Sequence, residues 1–367
     1  MDKIINFIKY DHSDLNNCMI AHFEICANER RRDSAHFDNC QDEIYDDVWY
    51  AAADVAILVT DTPETLKDGS ELHGQTFEHV QIARCLGITQ FIILINKMDL
   101  VDYREDIYDQ ACSLLTKNLK KLKIKVRILV TGSYISFHSN FSIFWGNKQT
   151  NWYKGPSFVD SVDSLACPER DLNSPLRLSI SGSFEVKHRT FTLFSRVESG
   201  VLKLPASLQV FPLNQQIEII NVDGLEEGEF GAGSQLCLLV NTASDDDIEV
   251  GSIACPINCP PFITETFTGS IILFETPQPL LIGSQLTLHY LQISQTVKII
   301  KIISLKDKTG AEKRNPRLIM SNARADVIFR SSEPLVVDLF EKTKSMGRFL
   351  LRFKGSTVGT GKIIRVP

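Results

Sequence analysis

The sequence predicts a mixed fold class, in which an α/β domain with a parallel sheet is followed by two antiparallel β-barrels. The α/β part is predicted by short, fully apolar strands such as Phe91–Ile95, which alternate with helical patterns. The barrels are predicted because, from Leu176 onwards, short alternating segments are broken by Gly, Pro, Asp and Asn. We expect the three domains to occupy residues 1–165, 176–258 and 262–367.

Length and composition are those of a globular, multidomain protein. The 367 residues have a net charge of −6, and 43% of them are hydrophobic, which suits two or three domains. No apolar run approaches the roughly 20 residues of a membrane-spanning helix. Nine cysteines without paired spacing indicate a reducing compartment, and Cys255 and Cys259 lack a second pair of metal ligands nearby. We therefore expect a cytoplasmic protein with no metal and no membrane partner.

The first domain is expected to alternate strands and helices. Met19–Ile25 alternates as a strand does, and a turn at Asn28–Arg32 would lead to a second strand near Ser34–Phe37. The later elements are a helix end at Val48–Ala53, strands at Val55–Val59, Phe91–Ile95 and Val126–Val130, and helices at His73–Leu86, Ile107–Leu122 and Ser157–Ser164. Strand, helix and strand in succession form a βαβ unit, which requires a parallel sheet.

The second part of the chain is expected to contain only strands. A polar linker at Pro168–Pro175 precedes it, and a break at Cys259–Pro261 divides it into two units of barrel size. The predicted strands are Leu176–Ser181, Phe191–Val197, Ile217–Val222, Gln235–Val240, Ser270–Phe274, Gln285–Leu291 and Thr296–Ile303.

The tetrad Asn96-Lys97-Met98-Asp99 follows the strand Phe91–Ile95 at once. Ligands of open α/β sheets bind at the carboxyl ends of the strands. The Asp99 carboxylate can accept hydrogen bonds from N1–H and the exocyclic amine of guanine, and the Asn96 amide can meet its Hoogsteen edge. The stem of Lys97 can lie along the ring, whereas adenine would be rejected by the same carboxylate. The alternative is a surface turn that has this sequence by chance.

Several motifs resemble the translational GTPases of the elongation factor 1-alpha type, which include eukaryotic release factor three and the ribosome-rescue GTPase that partners Pelota. In the first domain they are Ala53–Val59, Gly74-Gln75-Thr76 with Glu78-His79, Leu86-Gly87-Ile88 and Asn96–Asp99. In the barrels they are Pro175–Leu178, Arg196–Gly200, Lys308–Glu312, Gly347–Arg352 and Gly355–Val358. Trp152–Gly155 with Gly355-Ser356-Thr357 favours the rescue GTPase and its exosome-linked relative, the superkiller-type adaptor. The resemblance implies a guanine site made of Asn96, Lys97, Asp99, Thr131, Gly132 and Ser133.

The phosphate-binding parts of that family are missing from this sequence. A phosphate loop needs glycines for backbone wrapping, a Lys and a Ser or Thr, but the chain has no glycine before Gly69. The family's Asp-x-x-Gly turn is replaced by Asp38–Asp42, with Ala35-His36 as a rival alignment. Ser356–Lys362 nearly matches a phosphate loop, but its first Gly is shifted by one, Ile363 replaces the Ser or Thr, and it lies in a predicted barrel strand. We therefore reject that match.

These observations predict a truncated GTPase-like domain that has lost hydrolysis, because catalysis in this class depends on positioning and stabilising the phosphates. The expected cofactor is none, or weakly bound GTP or GDP. The resemblance implies association with the ribosome, through rRNA and ribosomal protein, or with a Pelota-like or release-factor-like partner. The alternatives are a functional GTP-binding translation factor, an adaptor that links ribosomes to the RNA exosome, and a fold that serves only as an interaction module.

Arg348, Phe349 and Arg352 are the partner-binding candidates, because cations beside an aromatic side chain suit interfaces with protein or RNA. Period-2 alternation also permits the alternative in which Phe349 is part of the core and the arginines lie on a solvated face. Two basic segments, Arg30–Arg32 at a hairpin tip and a loop containing Lys313, Arg314 and Arg317, are further candidates for RNA phosphates.

Overall fold

The structure is a computed structural model, and it describes residues 20–24, 54–61, 80–84, 87–96, 98–121, 125–130, 152–156, 160–161, 164–166, 168–244, 246–274, 276, 278–306, 312–354 and 356–367. The chain divides into two compact units, Met1–Pro168 and Glu169–Pro367. We refer to them as the sheet unit and the barrel unit. Within the described residues, no helix is long and apolar enough to span a membrane.

Four strands form the parallel sheet of the sheet unit. They are β1 (Ile20–Glu24), β2 (Val55–Asp61), β3 (Gln90–Asn96) and β4 (Lys125–Val130), which lie side by side in this order. All three neighbouring pairs are parallel. Val55–Leu58 and Phe91–Ile95 are buried throughout, as expected for strands covered on both faces. The predicted parallel sheet and its four strands are confirmed, and the second strand expected near Ser34–Phe37 lies outside the described residues.

Two α-helical segments are seen in the described residues between these strands, one before β3 and one after it. Residues 80–84 are helical, and the amides of Gly87, which has a φ of 108°, and of Ile88 donate to the carbonyls of Arg84 and Ala83. Helix α1 (Glu105–Lys121) has two acidic residues in its first turn, where their negative charges interact favourably with the helix dipole. It buries one stripe, formed by Tyr108, Ala111, Leu115 and Leu119. The predicted helices are confirmed where they are described, whereas the one at Val48–Ala53 lies outside and of Ser157–Ser164 only residues 160–161 are seen as helical.

The barrel unit begins with a closed six-stranded barrel. Its chain segment contains β5 (Arg177–Lys187), β6 (Thr190–Ser199), β7 (Val201–Leu204), β8 (Ala206–Phe211), β9 (Gln215–Val222), β10 (Gly228–Gly231), β11 (Gln235–Thr242) and β12 (Ile253–Cys255). The barrel closes in the order β11-β6-β5-β12-β8-β9, while β7 and β10 pair as a separate ribbon. Alternate apolar residues of the six strands, such as Leu178, Leu193, Ile217 and Leu238, fill the interior.

A second barrel follows. Its strands are β13 (Phe262–Leu273), β14 (Leu280–Leu281), β15 (Gln285–Tyr290), β16 (Ile293–Lys306), β17 (Glu312–Arg314), β18 (Leu318–Ile319), β19 (Arg324–Val337), β20 (Arg348–Phe353) and β21 (Ser356–Arg365). The ring β15-β20-β21-β13-β19-β16 is closed by pairing of β16 with β15. The predicted antiparallel barrels are thus confirmed. The basic segment at Lys313 and Arg314 was expected to be a loop, but it pairs with β16 as strand β17.

The two barrels pack on each other through a shared core and one buried ion pair. Phe211, Ile253 and Cys255 of the first barrel belong to the apolar cluster of the second. At the same junction, Arg177 Nε donates to Asp338 Oδ2 at 2.8 Å, and both side chains are almost fully buried. The barrel unit is therefore a single packed body that contains both barrels.

Candidate functional site

The predicted guanine tetrad lies at the carboxyl end of β3, between two parallel neighbours. Asn96 is the last residue of β3 and is paired in register with Asp61, the last residue of β2. The chain then enters a single 3₁₀ turn, Met98–Val101, which contains Asp99. This is the edge of an α/β sheet at which ligands bind. The structure therefore brings Asn96 and Asp99 to the same end of one strand.

The other members of the predicted guanine site, Lys97, Thr131, Gly132 and Ser133, lie outside the described residues. β4 ends at Val130, directly before this triplet, and is the other neighbour of β3. The guanine site thus stays a prediction. Among the described residues there is no group of three or more His, Cys, Asp or Glu that could hold a metal ion.

The loop after the tetrad has an unusual backbone. Met98 is fully buried, and its carbonyl accepts the amide of Tyr103 at 2.9 Å. Asp102 and Tyr103 have φ values of 50° and 52°, in the left-handed region that side chains other than Gly rarely adopt. Two consecutive residues of this kind make a tight reversal that leads directly into α1. The loop is therefore strained and must be held by contacts from elsewhere.

Trp152 supplies such a contact from far along the chain. Its Nε1 donates to the carbonyl oxygen of Tyr103 at 2.8 Å. The indole lies 5.2 Å from the ring of Tyr108 on α1, and Tyr153 makes edge-on contacts with both rings. Burial raises the pKa of the Tyr108 phenol, so this ring stays neutral. Sequence reasoning used Trp152–Gly155 only as a family motif and missed this role.

The partner-binding candidates of the second barrel do not form one exposed surface. Phe349 is 1% exposed and lies 5.6 Å from the ring of Phe267 and 5.8 Å from that of Phe329. The prediction that Phe349 contacts a partner is therefore wrong, because the barrel core encloses its ring, and the stated alternative of a core position is confirmed. Arg348 and Arg352 are half-buried, and their role in binding stays a prediction.

The rejected phosphate-loop match near the C-terminus is part of the barrel. Its residues form β21, which pairs with β13 and β20. The glycines have a packing reason, because a Cβ on Gly361 would lie less than 3.0 Å from the Phe349 ring, and one on Gly359 would meet the carbonyl of Ile272. The rejection is confirmed, since this backbone is used by the sheet and cannot wrap a phosphate.

A parallel α/β sheet followed by two closed antiparallel barrels defines a protein with the architecture of a translational GTPase. Two family models match the chain: "Elongation factor Tu GTP binding domain" over residues 45–245 and "GTP-eEF1A C-terminal domain-like" over residues 266–364. The first alone covers more than half of the chain. The chain therefore belongs to the elongation factor 1-alpha family of translational GTPases.

Individual relatives agree with this assignment. The chain is 30% identical over 323 residues to elongation factor 1-alpha of Desulfurococcus mucosus, in an alignment that covers 86% of this chain and 73% of the relative. It is 29% identical over 330 residues to protein HBS1 of Drosophila melanogaster, covering 86% of this chain but only 48% of HBS1. The GTP-bound Ski7 GTPase-like domain of S. cerevisiae has a TM-score of 0.64 at 16% identity, over 86% of this chain and 74% of that structure. This last likeness shows a common fold alone.

Proposed function

We propose that this 367-residue chain acts as a non-hydrolysing member of its family, a pseudo-GTPase that associates with the ribosome. Its partners would be rRNA and ribosomal protein together with a Pelota-like or release-factor-like protein, and its place of action the cytoplasm. The tasks that fit are ribosome rescue, quality control and binding of idle ribosomes. The supporting observation is that the sheet β1–β4 is present while the sequence ahead of β2 contains no glycine at all.

The energetics of nucleotide binding support the loss of hydrolysis. Without a phosphate loop, only the base contacts remain, and each hydrogen bond contributes about 0.5–1.5 kcal/mol, or about 1.5–3 kcal/mol when charge-assisted. Association itself costs an estimated 4–15 kcal/mol. A few base contacts therefore give weak binding at best, and the phosphate loop that would stabilise the transferred phosphoryl charge is missing from the sequence. We propose Asn96, Lys97, Asp99, Thr131, Gly132 and Ser133 as a vestigial guanine site.

A protein of this kind has no γ-phosphate-dependent switch. A ligand that does not distinguish two conformations cannot shift their populations, so binding to a target should be indifferent to the nucleotide present. The hold on the ribosome would then rest on the barrels and on basic side chains, with Arg348 and Arg352 as the proposed contacts. Contacts of cations with RNA phosphates weaken as salt rises.

Ribosome co-sedimentation of the full chain tests the proposal. Binding is measured across a series of potassium chloride concentrations with GTP, GDP, a non-hydrolysable GTP analogue or no nucleotide, and GTP hydrolysis is measured in parallel. We expect binding that falls with salt, does not change with nucleotide, and is accompanied by no hydrolysis above background. Ribosome binding that is stimulated by the analogue, or submicromolar GTP affinity that requires magnesium, would overturn the proposal that the chain is a pseudo-GTPase.

A second candidate function is an adaptor between ribosomes and the RNA exosome. It is favoured by Trp152–Gly155 and Gly355-Ser356-Thr357, because these motifs resemble those of the superkiller-type adaptor as well as those of the rescue GTPase. The same co-sedimentation series separates the two functions. Purified exosome that co-sediments with ribosomes only when this chain is present would support the adaptor, whereas a chain that binds ribosomes but not purified exosome would act as a ribosome-bound factor.

A further inference from the structure

We propose that the second barrel carries a docking surface for an acidic protein segment, in which Asp or Glu residues are interspersed with apolar residues. The surface consists of the ribbon β14–β18 and the part of β16 that lies beside it. We call it the ribbon face and define it by six exposed apolar residues: Leu281, Ile282, Ile300, Ile303, Leu318 and Met320. The inference goes beyond the proposed function and does not depend on whether the chain binds or hydrolyses nucleotide.

The ribbon is anchored by one pair of its side chains and exposes the next pair. Leu280 pairs with Ile319, and both belong to the fully buried core of the barrel. Leu281 pairs with Leu318 one position further on, and these side chains are 48% and 37% exposed. Because successive side chains of a strand point to opposite faces, the buried pair turns the second pair away from the core. Leu281 and Leu318 thus form an apolar surface that the barrel core does not use.

Strand β16 adds two apolar side chains through irregularities in its pairing. Its register with β19 shifts twice, once at Ile300 and once at Ile303. Both of these side chains are exposed, whereas Ile299 and Ile302 are fully buried. A β-bulge inserts an extra residue and changes the direction of its side chain. The two irregularities therefore bring isoleucines to the surface of a strand whose other isoleucines fill the core.

Backbone hydrogen bonds hold the ribbon beside this part of β16. The amide of Gly283, just after β14, donates to the carbonyl of Ile299 at 2.8 Å. The amide of Asn315, between β17 and β18, donates to the carbonyl of Ile303 at 2.9 Å. The two isoleucines of β16 and the exposed residues of the ribbon therefore lie in one region. Single exposed apolar residues are normal on a protein surface, but a group of six indicates an interaction site.

The charges around the ribbon face are almost all positive. Within the described segments 280–284, 298–306 and 312–320, the only carboxylate is Glu312, which lies 4.0 Å from Lys306. The cations of the same segments are Lys298, Lys301, Lys306, Lys313, Arg314 and Arg317. Among the described residues, only Lys306 of this group forms an ion pair. Since the whole chain has a net charge of −6, the positive charge is a local property of this face and is complementary to an acidic partner.

The residue types favour a protein segment over RNA as that partner. Met and Arg are enriched in protein interfaces, whose centres are apolar, and Arg forms paired hydrogen bonds with carboxylates. Recognition of RNA bases relies strongly on stacking against aromatic rings, and none of the six apolar residues of the ribbon face is aromatic. A segment that carries both carboxylates and apolar side chains would use both features of the face.

The binding experiment uses the full chain and a fluorescein-labelled synthetic peptide with the repeat Glu-Glu-Leu. Two control peptides have every Glu replaced by Gln, or every Leu replaced by Ser. Binding is followed by fluorescence anisotropy across a series of potassium chloride concentrations. We expect the Glu-Glu-Leu peptide to bind at least about tenfold more tightly than either control, because it alone satisfies both the cations and the apolar residues. Its affinity should fall as salt rises, since exposed charges are screened.

Two variants place the binding on the ribbon face, each with a matched control on the first barrel. Arg317→Glu is compared with Lys187→Glu, which changes the net charge equally, and Leu281→Ser with Leu213→Ser, which also alters an exposed leucine. We expect Arg317→Glu and Leu281→Ser each to weaken binding of the Glu-Glu-Leu peptide about three- to tenfold. Each control should change it less than about twofold. All four side chains are exposed, and circular dichroism checks that each variant is folded.

The outcomes distinguish this proposal from other partners and from the proposed function. Equal affinity for the three peptides, or equal loss in each variant and its control, would overturn the docking surface. Oligouridylate and phosphatidylserine-containing vesicles are titrated in parallel. If either binds more tightly than the peptide and loses this binding in Arg317→Glu, the face serves RNA or a membrane surface, and the proposal is wrong. Ribosome binding and GTP hydrolysis are separate measurements, so a failure of the pseudo-GTPase proposal leaves the peptide result unaffected.

Discussion

The two units of the chain differ in how many hydrogen bonds hold a key polar side chain in place. In the barrel unit, Arg177 donates to Asp338, to the carbonyl of Leu176 and to the carbonyl of Cys259, all within 3.1 Å. In the sheet unit, the indole N–H of Trp152 donates to a single carbonyl across a strained loop. The several buried hydrogen bonds of Arg177 break together only when the two barrels separate. One bond on a strained loop can be changed without unfolding the unit, which would suit the guanine site that we propose there.

The largest expected effect comes from breaking the barrel junction. Burial by itself lowers the pKa of the Arg177 guanidinium, but the hydrogen bond and charge of Asp338 more than compensate, so that the pKa lies above its ordinary value. Arg177→Met leaves the Asp338 carboxylate buried without its cation. We expect the free energy of unfolding to fall by about 3–5 kcal/mol, measured by urea unfolding followed by circular dichroism.

An exposed ion pair in the same unit is the matched control. Lys203 Nζ lies 2.8 Å from Glu229 Oε1, the same separation as in the buried pair, but both side chains are about two-thirds exposed. Lys203→Met should lower the free energy of unfolding by no more than about 1 kcal/mol. Similar losses in the two variants would show that burial does not set the strength of the Arg177 pair.

The next effect concerns the glycines of β21. Gly361→Ala places a methyl group against the buried Phe349 ring, where the core has no room for it. Overpacking of this kind costs about 1–3 kcal/mol, and thermal unfolding would show it as a lower Tm. Gly182→Ala is the control, because the nearest side chain is Phe194, which is 46% exposed and free to move aside. A Tm for Gly361→Ala equal to that of the control would contradict the packing role.

Sequence patterns predicted the elements well where one face or both faces of a strand are buried. The apolar run Phe91–Ile95 and the alternating segments of the barrels gave the correct strands, because side-chain period follows directly from strand geometry. Their ends were less accurate: β13 begins at Phe262, whereas the predicted strand began at Ser270. Alternation also could not decide which face of β20 is inside, and Leu350 is buried together with both of its neighbours.

The contacts that fix the two units were not predictable from the sequence. Trp152 and Tyr103 are 49 residues apart, and Arg177 and Asp338 are 161 residues apart. Such contacts depend on how the elements pack, and no local period or spacing encodes them. A Trp beside a Tyr in a polar segment was the only signal, since a buried indole N–H needs an acceptor. The place of the tetrad Asn96–Asp99 at the end of β3 was predictable because the apolar strand directly precedes it, whereas its role in guanine binding stays a prediction.

A third prediction uses pH to test the barrel unit. Burial, with the nearby charge of Arg352, lowers the pKa of His289 to about 4. In the unfolded chain the same imidazole takes up a proton near pH 6.5, so the unfolded state binds more protons between these values. Stability should therefore fall as pH falls from about 6.5 towards 4, and this group contributes no change above pH 7.

The contribution of His289 is obtained by comparing how the free energy of unfolding changes with pH in the unchanged chain and in a variant that lacks this imidazole. Other groups also titrate below pH 6, so the unchanged chain is compared with His289→Gln by urea unfolding at pH 7 and pH 5. The unchanged chain should lose about 1–2 kcal/mol more than the variant over this interval. Parallel profiles would mean that His289 is as accessible to protons in the fold as in the unfolded chain.

The smallest effect on stability is expected at Arg348, the remaining partner-binding candidate beside Arg352. Its guanidinium lies 5.3 Å from the centre of the Phe340 ring, and Lys362 Nζ lies 4.1 Å from the same ring. A partly exposed cation–π contact contributes about 0.5–1 kcal/mol, so Arg348→Ala should be only slightly less stable than the unchanged chain. Urea unfolding measures this difference, and Lys362→Ala is the matched variant because it removes the other cation of the same ring.

The same two variants decide whether Arg348 also serves a partner. Contacts between cations and RNA phosphates are strongest at low salt. Removing such a cation therefore weakens binding most at low salt. We therefore expect Arg348→Ala to reduce ribosome co-sedimentation several-fold at low potassium chloride and to converge with the unchanged chain as salt rises. Lys362→Ala should bind as the unchanged chain does. If both variants bind equally well at every salt concentration, Arg348 does not contact the ribosome, and the ribosome contact must lie on another face of the barrels.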